Sequence, residues 1–223
     1  MNNLIQQHLS EFNAYYSLLI EWNKKFNLTA VEGKDEVFTR HFADSIAAAD
    51  LIPKNASLCD IGSGAGFPGL PLAALFPEKK FLLIDSQHKK AEFIKNAVSV
   101  LGIKNLDVLH SRAEIAGQNP KLRESFDLAV CRAVGKLPVI LEYCLPLVKV
   151  GGAAVFYKTE LAEIEIEESK TARKLLGGSR RVHMERYKDI LPDRDHILYV
   201  VAKEDKTPEV YPRRAGIPSK EPL

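Results

Sequence analysis

Residues 60–69 read Asp-Ile-Gly-Ser-Gly-Ala-Gly-Phe-Pro-Gly, and no other stretch of the chain restricts its fold so strongly. An apolar run over 56–61 leads into it, and a helical pattern over 70–76 leaves it. Glycine permits turns that other residues resist and lets the backbone approach a ligand closely. The helix that follows offers N–H groups with no intrahelical partner. Strand, glycine-rich turn and helix in that order form the layout of a nucleotide-type cofactor loop.

Beyond this turn, short apolar runs alternate with helical patterns. Strands are expected at 56–61, 81–85, 106–110, 126–131 and 153–157, the last entered through Gly151-Gly152. Two more are expected near 182–187 and 197–203, with no helix between them to force a parallel crossover, so an antiparallel hairpin would end the sheet. Helices are expected at 89–101, 136–145 and 161–176, with Gly102 and Gly177-Gly178 as C-terminal caps. The alternation defines an α/β fold: a doubly wound, mostly parallel sheet of seven strands, Rossmann-like, covered on both faces.

Two helices precede the first strand. In residues 2–26, Ile5, Leu9, Phe12, Tyr16 and Leu19 recur at helical spacing. Residues 35–50 place Val37 or Phe38, Phe42, Ile46 and Ala49 inward, and Pro53 closes that helix. The chain therefore divides into a helical extension at 1–53, a sheet domain at 54–205 and a tail at 206–223. The extension either packs as a cap or presents Trp22, Lys24, Lys25, Arg40 and His41 to a substrate. The tail combines Pro208, Pro212, Pro218 and Pro222 with Lys206, Arg213, Arg214 and Lys220. Such proline density opposes regular structure, leaving a solvated tail or a basic arm laid on the substrate.

In doubly wound sheets, ligands bind at the carboxyl ends of the strands. Asp85 ends the second strand, about 20 residues past the glycines, where a carboxylate can accept hydrogen bonds from ribose hydroxyls. Ser111, Arg112, Ala113 and Glu114 follow the third strand, and Arg132 follows the fourth. A dinucleotide site would need Gly-x-Gly-x-x-Gly; here the third position after Gly64 is Phe67, which partly fills the space a pyrophosphate requires. Asp60, the glycines Gly62, Gly64 and Gly66, and Asp85 favour S-adenosyl-L-methionine over NAD.

At this point the chain resembles the bacterial 16S ribosomal RNA guanine-N7 methyltransferase family, RsmG, also called glucose-inhibited division protein B. The matching stretches are DIGSGAGFPGLPL at 60–72, SRAE at 111–114 and CRAV at 131–134. WNKKFNLTA at 22–30, HFADS at 41–45, residues 145–158 and the tail with YPRRAG and PSKEPL match as well. The resemblance implies a class I methyltransferase in which Gly62, Phe67, Ala113, Glu114 and Arg132 contact S-adenosyl-L-methionine. It also implies a guanine N7 acceptor in 16S ribosomal RNA, within the small ribosomal subunit. The segment 114–126 is longer than the family pattern.

Guanine N7 carries a lone pair and no proton, so methyl transfer there needs orientation and exclusion of water rather than a base. After the fourth strand there is neither the Asn/Asp-Pro-Pro-aromatic motif of exocyclic-amine methyltransferases nor a Pro-Cys pair. No catalytic residue is assigned, and Cys131 reads as a small core residue. Arg132 is suited to the cofactor carboxylate, to guanine O6 or to a phosphate. The net charge of +2 means that any RNA-binding surface is local. From 170 to 188 the chain has seven Lys or Arg against Glu185 alone. Lys24, Lys25, Arg180, Arg181, Arg213 and Arg214 are the candidate phosphate contacts. Alternatives are a small-molecule or protein methyltransferase, with a closed apolar pocket, and a non-catalytic ribosome-assembly factor. The three cysteines and six histidines show no metal-ligand spacing, so no metal is expected. No apolar run reaches the ~18–20 residues of a membrane span, and the first residues do not read as a signal peptide. A soluble, cytoplasmic monomer is expected.

Overall fold

A computed structural model describes residues 2–159, 162–187 and 196–223. Its centre is one sheet of seven strands: β1 (Ser57–Ile61), β2 (Lys80–Asp85), β3 (Leu106–His110), β4 (Phe126–Arg132), β5 (Val148–Thr159), β6 (His183–Arg186) and β7 (His196–Ala202). The order is β3-β2-β1-β4-β5-β7-β6. Strands β1 to β5 pair in parallel, whereas β7 runs antiparallel to both β5 and β6. The strand order reverses between β1 and β4, so the carboxyl ends of these two strands flank the crevice where such sheets take ligands.

Crossover helices cover the sheet: α4 (Gly69–Leu75), α5 (His88–Leu101), α6 (Ala113–Gln118), α7 (Leu137–Cys144), α8 (Ala162–Glu168) and α9 (Lys170–Leu175). The single helix expected over 161–176 is two, separated at Ser169, whose hydroxyl donates to the Ile166 carbonyl at 2.7 Å. The expected start at Leu161 and the basic end at Lys188 lie outside the described residues. Strand β5 is longer than expected. It begins at Val148, and its register against β4 shifts between the Phe126–Val148 and Leu128–Ala153 pairs, which takes Gly151 and Gly152 into the strand.

The N-terminal extension also differs in detail. It begins as α1 (Asn2–Gln7) and α2 (Leu9–Phe26), separated at His8. The buried face of α2 is Phe12, Tyr15, Leu19 and Asn23; Leu9 is exposed and Tyr16 only partly covered. After α3 (Lys34–Val37) comes a π-helical turn over Phe38–Ala43 and a 3-10 helix over Ile46–Leu51, in place of one regular helix. Phe12, Tyr15 and Leu19 join Leu70 of α4 and Phe93 of α5 in one continuous core. Full burial of each such side chain contributes about 1.5–3 kcal/mol.

The tail is not structureless: hydrogen bonds tie it to the sheet domain, although many of its residues remain exposed. Arg123 donates to the carbonyls of Thr207 and Tyr211 at 2.7 Å each, and Gln118 donates to that of Pro212 at 2.9 Å. Proline removes N–H donors but leaves carbonyls free to accept, and side chains from the segment 114–126 supply the donors. The tail ends in a short helix, α10 (Ile217–Lys220), packed on α7.

Candidate active site

The glycine turn is braced by two carboxylates. Gly64 N–H donates to Asp85 Oδ2 at 2.8 Å, and Gln87 N–H donates to Asp85 Oδ1 at 2.8 Å. At the far end of the turn, Gly69 N–H donates to Asp60 Oδ2 at 2.8 Å. Gly62 and Gly69 are among the positions that require glycine. Gly62 has φ +70°, and a Cβ there would lie 2.5 Å from Val134 Cγ2. A Cβ at Gly69 would lie 2.7 Å from both Asp60 Oδ2 and Leu83 Cδ1. Asp60 is buried, and its Oδ1 has no hydrogen-bond partner. Burial pushes its carboxyl up to about 7, against the opposing pull of Gly69 N–H and the Arg132 charge.

Beside the turn lies a cavity of about 520 Å³ at the carboxyl ends of β1, β2 and β3. This is within the ~300–1,000 Å³ range of small-molecule sites. Gly62, Ile84, Ala113, Glu114, Val134 and Tyr143 line it. Apolar strand ends with polar groups around them, Ser86, Ser111, Arg112, Glu114 and Lys136 among them, suit a flat heterocycle attached to a polar sugar. Of the expected cofactor residues, Gly62, Ala113 and Glu114 line this cavity. Gly64 and Asp85 form the brace beside it.

Phe67 and Arg132 come together elsewhere, against the helical extension. The Phe67 ring stacks on Tyr15 at 5.2 Å and on His41 at 4.7 Å, and meets Phe42 edge-on at 5.4 Å. The Arg132 guanidinium stands 5.4 Å from the Phe67 centroid. It donates to Asp44 Oδ2 at 2.6 Å and to the Arg40 carbonyl at 3.2 Å. Asp44 Oδ1 accepts from the Tyr187 hydroxyl at 2.7 Å and lies 3.2 Å from His196 Nδ1. Burial alone would raise the Asp44 carboxyl, but His196, Arg132 and Tyr187 together hold it below the usual carboxylate range. Burial, reinforced by the Arg132 charge, lowers His41 to about 4. Its Nε2 lies 2.8 Å from the Thr29 hydroxyl. Asp44, Tyr187 and His196 carried no individual signal in the sequence, although Asp44 sits within the HFADS stretch.

Of the basic candidates, Lys24, Lys25, Arg180, Arg181 and Arg214 are exposed, and Lys25 pairs with Glu21 at 3.8 Å. Arg213 corrects the expectation. Its guanidinium makes a two-pronged pair with Glu142, at 2.9 Å from Nε and 2.6 Å from Nη2, and Glu142 is wholly buried. Arg213 therefore anchors the tail and is not open to a phosphate. Among the described residues, no group of His, Cys, Asp or Glu is placed to hold a metal ion, and no helix is long and apolar enough to cross a membrane.

The reversed strand order, the braced glycine turn and the acidic end of β2 define a class I, S-adenosylmethionine-dependent methyltransferase. Solved structures share this fold. A SAM dependent methyltransferase from Aquifex aeolicus matches with a TM-score of 0.56 at 17% identity, over 74% of this chain and 92% of its own. M. jannaschii TYW2, solved in complex with AdoMet, matches with a TM-score of 0.57 at 16% identity, over 73% of this chain and 76% of its own. Closer relatives narrow the class. Ribosomal RNA small subunit methyltransferase G of Acetivibrio thermocellus is 44% identical over 99% of this chain and 91% of its own length. The protein of the same name from Lactobacillus johnsonii is 45% identical over 99% and 93%. The GidB family model, rRNA small subunit methyltransferase G, matches residues 8–190, and the chain belongs to that family.

Proposed function

We propose that the chain transfers a methyl group from S-adenosyl-L-methionine to N7 of one guanine in the 16S RNA of the small ribosomal subunit. The observation that carries the reading is the cavity beside the braced turn, in a chain of this family. Gly62, Gly64, Phe67, Asp85, Ala113, Glu114 and Arg132 are the residues assigned to the cofactor. Bound there, S-adenosyl-L-methionine supplies a methyl group carried on a sulfonium.

The chain's residues then have three tasks. Asp60 and Asp85 hold the turn rigid, so the methyl is aimed without reorganisation; well-oriented reactants recover as much as ~7–11 kcal/mol of a barrier. Phe67 and the rings around it exclude water. Arg132, steadied by Asp44, offers a cation at the carboxyl end of β4 for the cofactor carboxylate or the target guanine. No base is required, and His41, lowered to about 4 by burial and engaged by Thr29, is poorly suited to act as one.

Lys24, Lys25, Arg180, Arg181 and Arg214 are the proposed phosphate contacts. The division into an extension at 1–53, a methyltransferase domain at 54–205 and a tail at 206–223 is retained as a description of parts. A monomer acting in the cytoplasm fits this reading, and the three buried free thiols suit a reducing compartment. Transfer of labelled methyl to isolated small subunits and to naked 16S RNA, followed by mapping of the modified base, tests the proposal. Absence of label from both substrates overturns it.

A further inference from the structure

The cavity has a wall that neither the glycine turn nor the strand ends provide. Ser219 and Pro222, close to the end of the chain, line it together with Ala113, Glu114 and Tyr143. Their position is built in rather than incidental. Arg213 is held by the buried Glu142 of α7, and its Nη2 also donates to the Glu221 carbonyl at 2.8 Å. Pro218 is buried. Gly216 N–H donates to Glu114 Oε1 at 2.8 Å. One carboxylate, on a residue that faces the cavity, thus also receives the tail backbone.

We propose that the C-terminal tail is part of the cofactor pocket: Ser219 and Pro222 close the purine end of the S-adenosyl-L-methionine cleft, and tail docking and cofactor binding reinforce one another. The inference rests on the cofactor reading given above and extends it to residues outside the sheet domain. The purine end is assigned because the tail meets the cavity at Glu114, just after β3, where Gly216 N–H reaches its carboxylate. Glu114 is the coupling element, since the tail fixes the carboxylate that a bound nucleoside would approach. Coupling of this kind is reciprocal: whatever holds the tail raises affinity, and ligand binding holds the tail.

The test is calorimetric titration of S-adenosyl-L-homocysteine and of adenosine into the full-length protein, its Ser219→Ala/Pro222→Gly variant and Gly62→Ala. The tail variant is expected to lose about tenfold in affinity for both ligands, on the order of 1.4 kcal/mol. Hydrogen exchange at amides of residues 214–221 in the unaltered protein is expected to slow when S-adenosyl-L-homocysteine saturates it. Unchanged affinity in the tail variant, or unchanged exchange in the tail on saturation, overturns the inference. Should the tail variant fold poorly, the exchange measurement on the unaltered protein still decides. Gly62→Ala separates the two readings. Tight binding by that variant removes the cofactor assignment itself, whereas loss there with an unaffected tail variant removes only the role of the tail.

Discussion

Asp44 Oδ2 and Arg132 Nη1 lie 2.6 Å apart, which joins the N-terminal extension to the carboxyl end of β4 through a buried ion pair. Removing one member leaves the other charged and desolvated. Asp44→Ala is expected to cost about 3–5 kcal/mol in urea denaturation, and Asp44→Asn less, because an amide oxygen still accepts from Arg132. Equal stability of Asp44→Ala and the unaltered protein would show that the pair is not buried in solution.

Two groups in the site make stability depend on pH with opposite signs. His41 titrates near 6.5 when unfolded and near 4 when folded, so the folded state binds fewer protons between those values and stability falls as pH drops through them. Asp60 titrates near 3.8 unfolded and about 7 folded, so there stability falls as pH rises. Denaturation midpoints measured from pH 4 to 7 are expected to drop more steeply with rising pH in His41→Phe than in the unaltered protein, and less steeply in Asp60→Asn. Parallel curves for all three proteins would contradict the assignment.

Gly69 needs its bare backbone for a reason unrelated to its dihedral angles, since the Asp60 carboxylate and Leu83 occupy the space of a side chain. Gly69→Ala is expected to destabilise the fold by about 1–3 kcal/mol through overpacking. It should also weaken S-adenosyl-L-homocysteine binding, because Asp60 can no longer brace the turn. Calorimetry alongside thermal unfolding reads both, and unaltered ligand affinity would count against the brace.

Neighbouring arginines in the tail should behave differently. Arg213→Ala strands the buried Glu142 and is expected to cost about 3–5 kcal/mol. Arg214 is exposed. Its replacement by Ala should leave the melting curve in place and reduce the dependence of log affinity for 16S RNA on log salt by about 0.7–0.9. A lowered salt slope for Arg213→Ala in correctly folded protein would reverse the assignment of the two side chains.

The sheet was legible because apolar runs bounded by glycine, acid or polar residues mark buried parallel strands, and β3 matches its expected limits of 106–110. The helical extension was legible only coarsely. Periodicity placed Phe12 and Leu19 inward, but Tyr15 rather than Tyr16 is buried, because its hydroxyl reaches the Ala65 carbonyl inside the glycine turn. A pattern of apolar and polar residues cannot register one hydrogen bond across the fold. Of the two readings of the tail, the structureless one fails for a related reason. Proline density opposes regular structure, yet the donors that order this segment, Arg123 and Gln118, lie far away in the chain. Asp60 and Asp85 stood out through their spacing, whereas Asp44 becomes meaningful only once Arg132, Tyr187 and His196 surround it.

The bond from Tyr15 to Ala65 spans 50 positions of the chain. A ribosome releases α2 well before the turn that will hold it, so this helix remains without that partner until the glycine segment has emerged and closed. During that interval Phe12, Tyr15 and Leu19 are uncovered apolar surface on a nascent chain. The helix is therefore made before the segment that covers it, and in that interval its apolar face is exposed surface of the kind that promotes aggregation.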